Sequence, residues 1–148
     1  MGVPERTLSL LAGATWHVWP CEMAIASFPR EARSRVVAML AGESLPGPVW
    51  WGDDGFELTV LAPREVFESG HGLAGISGGR VEAGWALVTC RTPLPWDVVG
   101  FLAEVTARLA RAGMTCGAFS AFSRDHLLVP WSKKDEVRQV LGNGGAGE

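Results

Sequence analysis

Residues 92–100 read Thr-Pro-Leu-Pro-Trp-Asp-Val-Val-Gly and lead into a run with helical apolar spacing. Such a junction can do chemistry without any reactive side chain. The first N–H groups of a helix have no partner within the helix and carry partial positive charge. They are a natural seat for a carboxylate or another anion. The expected helix tip lies at Trp96 to Gly100. Pro93 and Pro95 stiffen the approach. Gly100 has no side chain to keep a ligand or a neighbouring strand away. An ammonium on the same ligand would need a carboxylate opposite, and Asp97 and Asp125 are the candidates. The ring of Trp96 offers a face to a guanidinium or ammonium. Each residue also has a plainer reading: Asp97 as an ordinary first-turn acid, Gly100 as a helix–sheet packing position.

A second stretch, residues 120–126, reads Ser-Ala-Phe-Ser-Arg-Asp-His. If the chain is a small enzyme, His126 is its proton carrier, with Asp97 or Asp125 ionised nearby. Asp125 and His126 are consecutive, so in a strand they face opposite ways and cannot form a direct dyad. Serine and aspartate here also suit ordinary turn bonding. His17 and Cys21 have metal-ligand spacing for a helix, but Pro20 between them disfavours one, and His71 is isolated among glycines. No metal is expected. Cys116 falls among apolar residues, where thiols are usually inert packing. No dinucleotide or phosphate-loop pattern is present, and no cofactor is expected.

The bulk properties narrow the class. The 148 residues are 47% hydrophobic and 20% charged, enough apolar content for a folded core. The net charge of −3, without a basic run, gives no footprint for nucleic acid or an anionic membrane. No apolar window reaches the roughly 18 residues of a membrane span. Three widely spaced cysteines fit reduced thiols, and the N-terminal residues lack signal-peptide character, so a cytoplasmic location is expected. Seven tryptophans without a tyrosine favour apolar walls, between modules or around a ligand.

Strands are expected at 7–11, along 16–26 with a bend at Pro20, at 49–52 and at 56–61. Asp53-Asp54-Gly55 marks a hairpin. A helix is expected over 29–40, with Pro29 in its first turn, and a short one over 63–68. The glycine-rich stretch 69–79 reads as a loop. The second half reads as strand 85–90, helix 96–112, strands 114–122 and 127–130, and helix 133–141 capped by Ser132. That is β-α-β-β-α, one strand short of a split βαβ sandwich. The missing strand must come from elsewhere in the chain or from a second subunit, and 7–11 is the best candidate.

Several of these stretches resemble the CASTOR-type ACT family. Thr92-Pro93-Leu94-Pro95-Trp96-Asp97-Val98-Val99-Gly100 is similar to that family's Gly-Pro-Leu-acid-Phe-Ser-Leu-Thr-Gly loop. Leu109-Ala110-Arg111-Ala112-Gly113 resembles its helix end. Ser120 through Val129 resembles its Ser-Thr-Phe-Asp-Thr-Asp-Tyr-x-Leu-Val strand and turn, and Glu57 to Pro63 resembles a stretch of its first module. The resemblance implies an α+β fold of two ferredoxin-like βαββαβ ACT modules, and the missing strand implies that they interlock through an N-terminal strand. The first module would span 1–78 and the second 79–141, with 142–148 a disordered tail. The resemblance also implies a regulatory protein that binds an amino acid or amino-acid-like metabolite, and an open sheet edge or apolar patch in need of cover implies a homo-oligomer. The ligand residues would be Pro93, Leu94, Trp96, Asp97, Val98, Gly100, Ser120, Ser123, Asp125 and His126. The chain departs from the family at Pro95, Trp96, Ser123, Arg124 and His126, so the scaffold carries over more directly than the usual ligand.

Overall fold

The computed structural model describes residues 2–42, 44–68 and 72–142. In chain order its elements are α1 Glu5–Gly13, β1 Trp16–Val18, β2 Met23–Phe28, a 3-10 turn Arg30–Ala32, α2 Arg33–Gly42, β3 Trp50–Asp53 and β4 Leu58–Pro63. Two 3-10 turns follow, Arg64–Phe67 and Gly72–Gly75, then β5 Arg80–Cys90, α3 Phe101–Arg111, β6 Gly117–Ser120, β7 Asp125–Pro130, a 3-10 turn Trp131–Lys133 and α4 Val137–Leu141. No helix among the described residues is long and apolar enough to cross a membrane.

The chain divides into two compact units. One is split in sequence: it takes residues up to Pro20 and those from Ala86 onward. The other is the stretch Cys21–Trp85 between them. Strand β5 belongs to both, its residues 80–85 to the inserted unit and 86–90 to the split unit.

In the inserted unit the strand order is β3-β4-β2-β5. Counted within the unit, that is second, third, first, fourth, the order of a ferredoxin-like βαββαβ sheet. Helix α2 makes the first crossover. Arg64–Phe67 and Gly72–Gly75 stand where the second helix belongs, in a stretch too rich in glycine to hold a long helix. β2 pairs antiparallel with β4 from Met23↔Pro63 to Phe28↔Leu58. A register shift against β5 falls between Met23 and Ile25, next to Gly84 at φ 91°. A positive φ of this kind is what a bulge asks of glycine. Ala26, Phe28, Leu58, Val60 and Ala62 face Val36 of α2 and Val66 in one buried cluster.

The split unit has the order β1-β5-β7-β6, again ferredoxin-like. Its fourth strand is supplied by the N-terminal segment, through pairs Trp16↔Cys90 and Val18↔Val88. The supplier is not the expected 7–11, which is helical. Pro4 stands at the N-cap of α1, Glu5 lies in its first turn, and Thr7 and Leu11, four apart, are its buried residues. A five-residue apolar run cannot by itself tell a strand from one helical face. The expected strand over 16–26 is two strands, β1 and β2, because Pro20 between them has no N–H to give a ladder.

α3 carries Phe101, Val105 and Leu109 at four-residue spacing, all buried. They join Ala86, Val88, Leu127, Val129, Leu11 and Val137 in the split unit's core. A fully buried leucine such as Leu109 contributes about 1.5–3 kcal/mol by leaving water. The helix closes at Gly113, φ 73°, where the N–H of Met114 reaches the Leu109 carbonyl at 2.9 Å. It opens at Phe101, five residues later than expected, since Gly100 at its N-cap is left-handed, φ 81°. Similar shortenings occur elsewhere. The strand expected over 114–122 is paired only at Gly117–Ser120. The last helix is only Val137–Leu141, preceded by Glu136, so Ser132 does not cap it. The strand expected from 85 begins earlier, at Arg80. The sequence-based spans place one break, between 78 and 79, whereas the units exchange at Pro20–Cys21 and Trp85–Ala86. The tail reading for 143–148 and the isolated His71 lie outside the described residues.

Candidate ligand site

The split unit holds a cavity of about 360 Å³, walled by the loop before α3, the first turn of α3 and the β6–β7 turn. The loop is shaped locally. Pro95 and Trp96 lead into a turn closed by the Val98 N–H on the Pro95 carbonyl at 3.2 Å. The Leu94 N–H donates to the Ser123 carbonyl at 2.8 Å and ties this loop to the β6–β7 turn. That turn is closed by the Ala121 N–H on the Arg124 carbonyl at 2.8 Å.

Gly100, Phe101, Leu102 and Ala103 all line the cavity, so the tip of α3 opens onto it. Among the described residues, no side chain caps that tip. The Gly100 carbonyl accepts the first helical bond, from Glu104 at 3.0 Å. The N–H groups of the first turn are thus available to an anion, with a value of about 0.3–1 kcal/mol at an exposed tip and more where water is excluded.

Of the ten residues expected at a ligand site, Leu94, Trp96, Val98, Gly100, Ser120, Ser123 and Asp125 line this cavity. The Ser120 hydroxyl donates to Asp125 Oδ1 at 2.6 Å, which engages one oxygen of a carboxylate that lines the cavity. Pro93, Asp97 and His126 are not among its walls. Asp97 is engaged by Arg6 of α1, whose guanidinium donates to both carboxylate oxygens at 2.9 and 3.2 Å. The Arg6 hydrogen bond and charge hold the Asp97 carboxyl below the usual range.

His126 lies on the opposite face of β7 from Asp125 and is buried. Its ring stacks on Phe119, 4.9 Å between centroids. The Trp19 indole N–H donates to Thr89 Oγ1 at 2.9 Å, and the same hydroxyl lies 2.9 Å from His126 Nδ1. A threonine that accepts from tryptophan still has its own proton to direct at Nδ1, the arrangement of a neutral imidazole. Burial pushes the His126 pKa below its ordinary value, which agrees. The residue is thus part of a packed polar chain on the other face of β7 from Asp125.

Sequence reasoning missed Phe101, Leu102, Ala103 and Phe122 as cavity walls, and Arg6 as the partner of Asp97. The helix register would have supplied the first three had Gly100, rather than Trp96, been taken as the N-cap. An ion pair 91 positions apart leaves no local trace in sequence. Among the described residues, no three histidine, cysteine, aspartate or glutamate side chains gather as metal ligands would.

A search of the curated proteins found no match. Among solved structures, a protein from Agobacterium tumefaciens superposes with a TM-score of 0.63 at 21% identity, covering 89% of each chain. A Vibrio cholerae protein of unknown function, described as a possible transport protein, gives 0.64 at 19%, covering 93% of this chain and 94% of its own. The regulatory subunit of aspartate kinase from Thermus thermophilus gives 0.65 at 12%, covering 88% and 98%. At these identities the likeness is one of fold. Residues 80–143 match the ACT domain family model, so the cavity-forming segment 94–125 lies wholly inside an ACT domain match, in a chain whose fold is that of ACT-type regulatory domains.

Proposed function

We propose that this chain is a regulatory small-molecule-binding protein whose ligand is an amino acid or a close relative, held in the cavity at the tip of α3. One observation carries the reading: the uncapped first turn of α3 opens onto a cavity of about 360 Å³, a volume in the range of small-ligand sites. The ligand carboxylate sits on the N–H groups of Phe101 to Ala103, and its ammonium on Asp125. Asp97 plays no direct part; with Arg6 it holds the loop. The regulatory role draws support from the ACT domain match and from the fold shared with an aspartate kinase regulatory subunit. The finer assignment to CASTOR-type ACT proteins rests on the loop and turn motifs. We read the chain as two ACT modules because both strand orders are ferredoxin-like, with the N-terminal residues contributing to the second.

A homo-oligomer would cover the edge strands β3 and β6. The free thiols of Cys21, Cys90 and Cys116 are consistent with a cytoplasmic setting. Calorimetric titration with the common amino acids and their 2-oxo acids tests the reading. Saturable binding of at least one, weakened when Asp125 becomes Ala, supports it. Silence across the whole panel removes it.

A further inference from the structure

Trp96 is 73% exposed and Phe122 is 86% exposed, yet both line the same cavity. Large aromatics are seldom left so wet, because their rings are the most costly apolar surface a protein presents to water. They come from different segments, one from the loop before α3 and one from the β6–β7 turn. The 2.8 Å bond from the Leu94 N–H to the Ser123 carbonyl ties those segments beside the two rings. Their relative placement is therefore set by backbone rather than left to two loops.

The rest of the cavity is sorted by polarity. Leu94, Val98 and Leu102 give apolar wall, while the helix tip, Ser120, Ser123, Arg124 and Asp125 give the polar groups. A site for a small polar amino acid would need only the latter. It would leave both rings in water with the ligand bound, and the apolar wall would contribute nothing.

Resting on the ligand reading above, we propose that the acid taken by this cavity carries an aromatic or similarly large apolar substituent, seated against Trp96 and Phe122. These two residues then determine specificity, and the helix tip and Asp125 determine orientation. Ring-on-ring contact adds to simple burial, so selection over a methyl side chain is strong.

The test is titration of the full chain with L-phenylalanine, L-tryptophan and phenylpyruvate beside L-alanine, L-aspartate and L-lysine. It is run on the parent chain and on Trp96→Ala, Phe122→Ala and Trp96→Phe, with sedimentation velocity on each. Both rings are exposed, so the variants fold, which equal melting temperatures verify. The expected result is an aromatic acid bound about tenfold or more tighter than alanine, with that advantage lost in each alanine variant and kept in Trp96→Phe. If aspartate or lysine binds best, and neither alanine variant changes its affinity, the inference is wrong while the cavity reading stands. If no acid binds, both fall. If the alanine variants instead convert a dimer to a monomer without altering acid affinity, the rings belong to a subunit contact and the inference is overturned.

Discussion

Arg6 and Asp97 form a two-pronged ion pair at 2.9 and 3.2 Å, and beside it the Thr7 hydroxyl donates to the Val99 carbonyl at 2.5 Å. Helix α1 thus grips the loop before α3 at two points, one charged and exposed, one neutral and buried. The exposed pair is open to solvent screening, so its removal should hardly move the global stability. Its effect is local. Arg6→Ala should raise amide hydrogen exchange across residues 96–99 while the melting temperature stays near that of the parent chain. High salt should reproduce the change in the parent. The Asp97 pKa is depressed in the folded chain, so the contribution is fully present above the ordinary carboxylate range. It is lost as pH falls through the lower folded value, and the grip is intact at neutral pH. Unchanged protection of residues 96–99 in Arg6→Ala would show that Thr7 alone holds the loop.

The buried chain from Trp19 through Thr89 to His126 predicts a different response. Thr89→Val keeps the shape but removes the acceptor for the indole N–H and the donor for His126 Nδ1. Leaving two such groups unsatisfied should cost about 2–4 kcal/mol in denaturant unfolding, and Thr89→Ser should recover most of it. The pH dependence follows from the lowered His126 pKa. Below the ordinary imidazole value the unfolded chain takes up a proton that the folded chain refuses. Stability is therefore full above that value and declines as pH falls through it towards the folded pKa. His126→Asn should lack this slope. A Thr89→Val variant as stable as the parent would mean that the hydroxyl contributes nothing net.

The same residues show what a sequence can and cannot disclose. The hairpin at Asp53-Asp54-Gly55 was legible because its signal is local: Gly55 has φ 88°, and Asp54 Oδ1 accepts from the Phe56 and Glu57 N–H groups at 2.8 Å. The stripe along α3 was legible for the same reason, as Val105 and Leu109 lie one turn apart. The helix start was misjudged because Asp97 imitates a first-turn acid, while the real determinant is the left-handed Gly100. A glycine does not announce its φ. The loop 92–100 and the turn 120–125 could be singled out as chemically interesting, but their meeting through Leu94 and Ser123 is a tertiary event. The role of 7–11 was missed because helix or strand, in so short a run, is decided by what covers it. His126 looked reactive by type and is buried by context.

Gly100 permits a clean conformational test. A Cβ built there meets nothing within 4 Å, so a substitution clashes with no neighbour. Its φ of 81° is nevertheless costly for a residue with a side chain. Gly100→Ala should therefore destabilise the chain by about 1–2 kcal/mol, and Gly100→Asn by less, since asparagine tolerates the left-handed region. Circular dichroism should show the helix retained in both. Acid binding should weaken in proportion to how far the first turn of α3 is displaced. If Gly100→Ala were neutral in stability, the left-handed N-cap would not be what ends the loop and starts the helix.

Cys90 is buried at the end of β5, where burial pushes its thiol up to about 11, while its Sγ lies 3.5 Å from the Thr92 carbonyl. Attack on an alkylating agent needs the thiolate, which is scarce at such a pKa, and it needs access, which burial denies. Cys21 and Cys116 are half-buried, and burial raises their pKa values as well. Iodoacetamide at mildly alkaline pH should therefore label Cys21 and Cys116 slowly, and Cys90 only at the rate of unfolding. Peptide mapping by mass spectrometry over a time course separates the three. The same shift has a thermodynamic face. Above the ordinary thiol value the unfolded chain gives up the Cys90 proton while the folded chain keeps it, so stability should fall as pH rises from about 9 towards about 11. A Cys90→Ala variant lacks that decline, whatever it loses in packing. Rapid labelling of Cys90 in the native chain would mean that the end of β5 opens readily, and with it the start of the loop that walls the cavity.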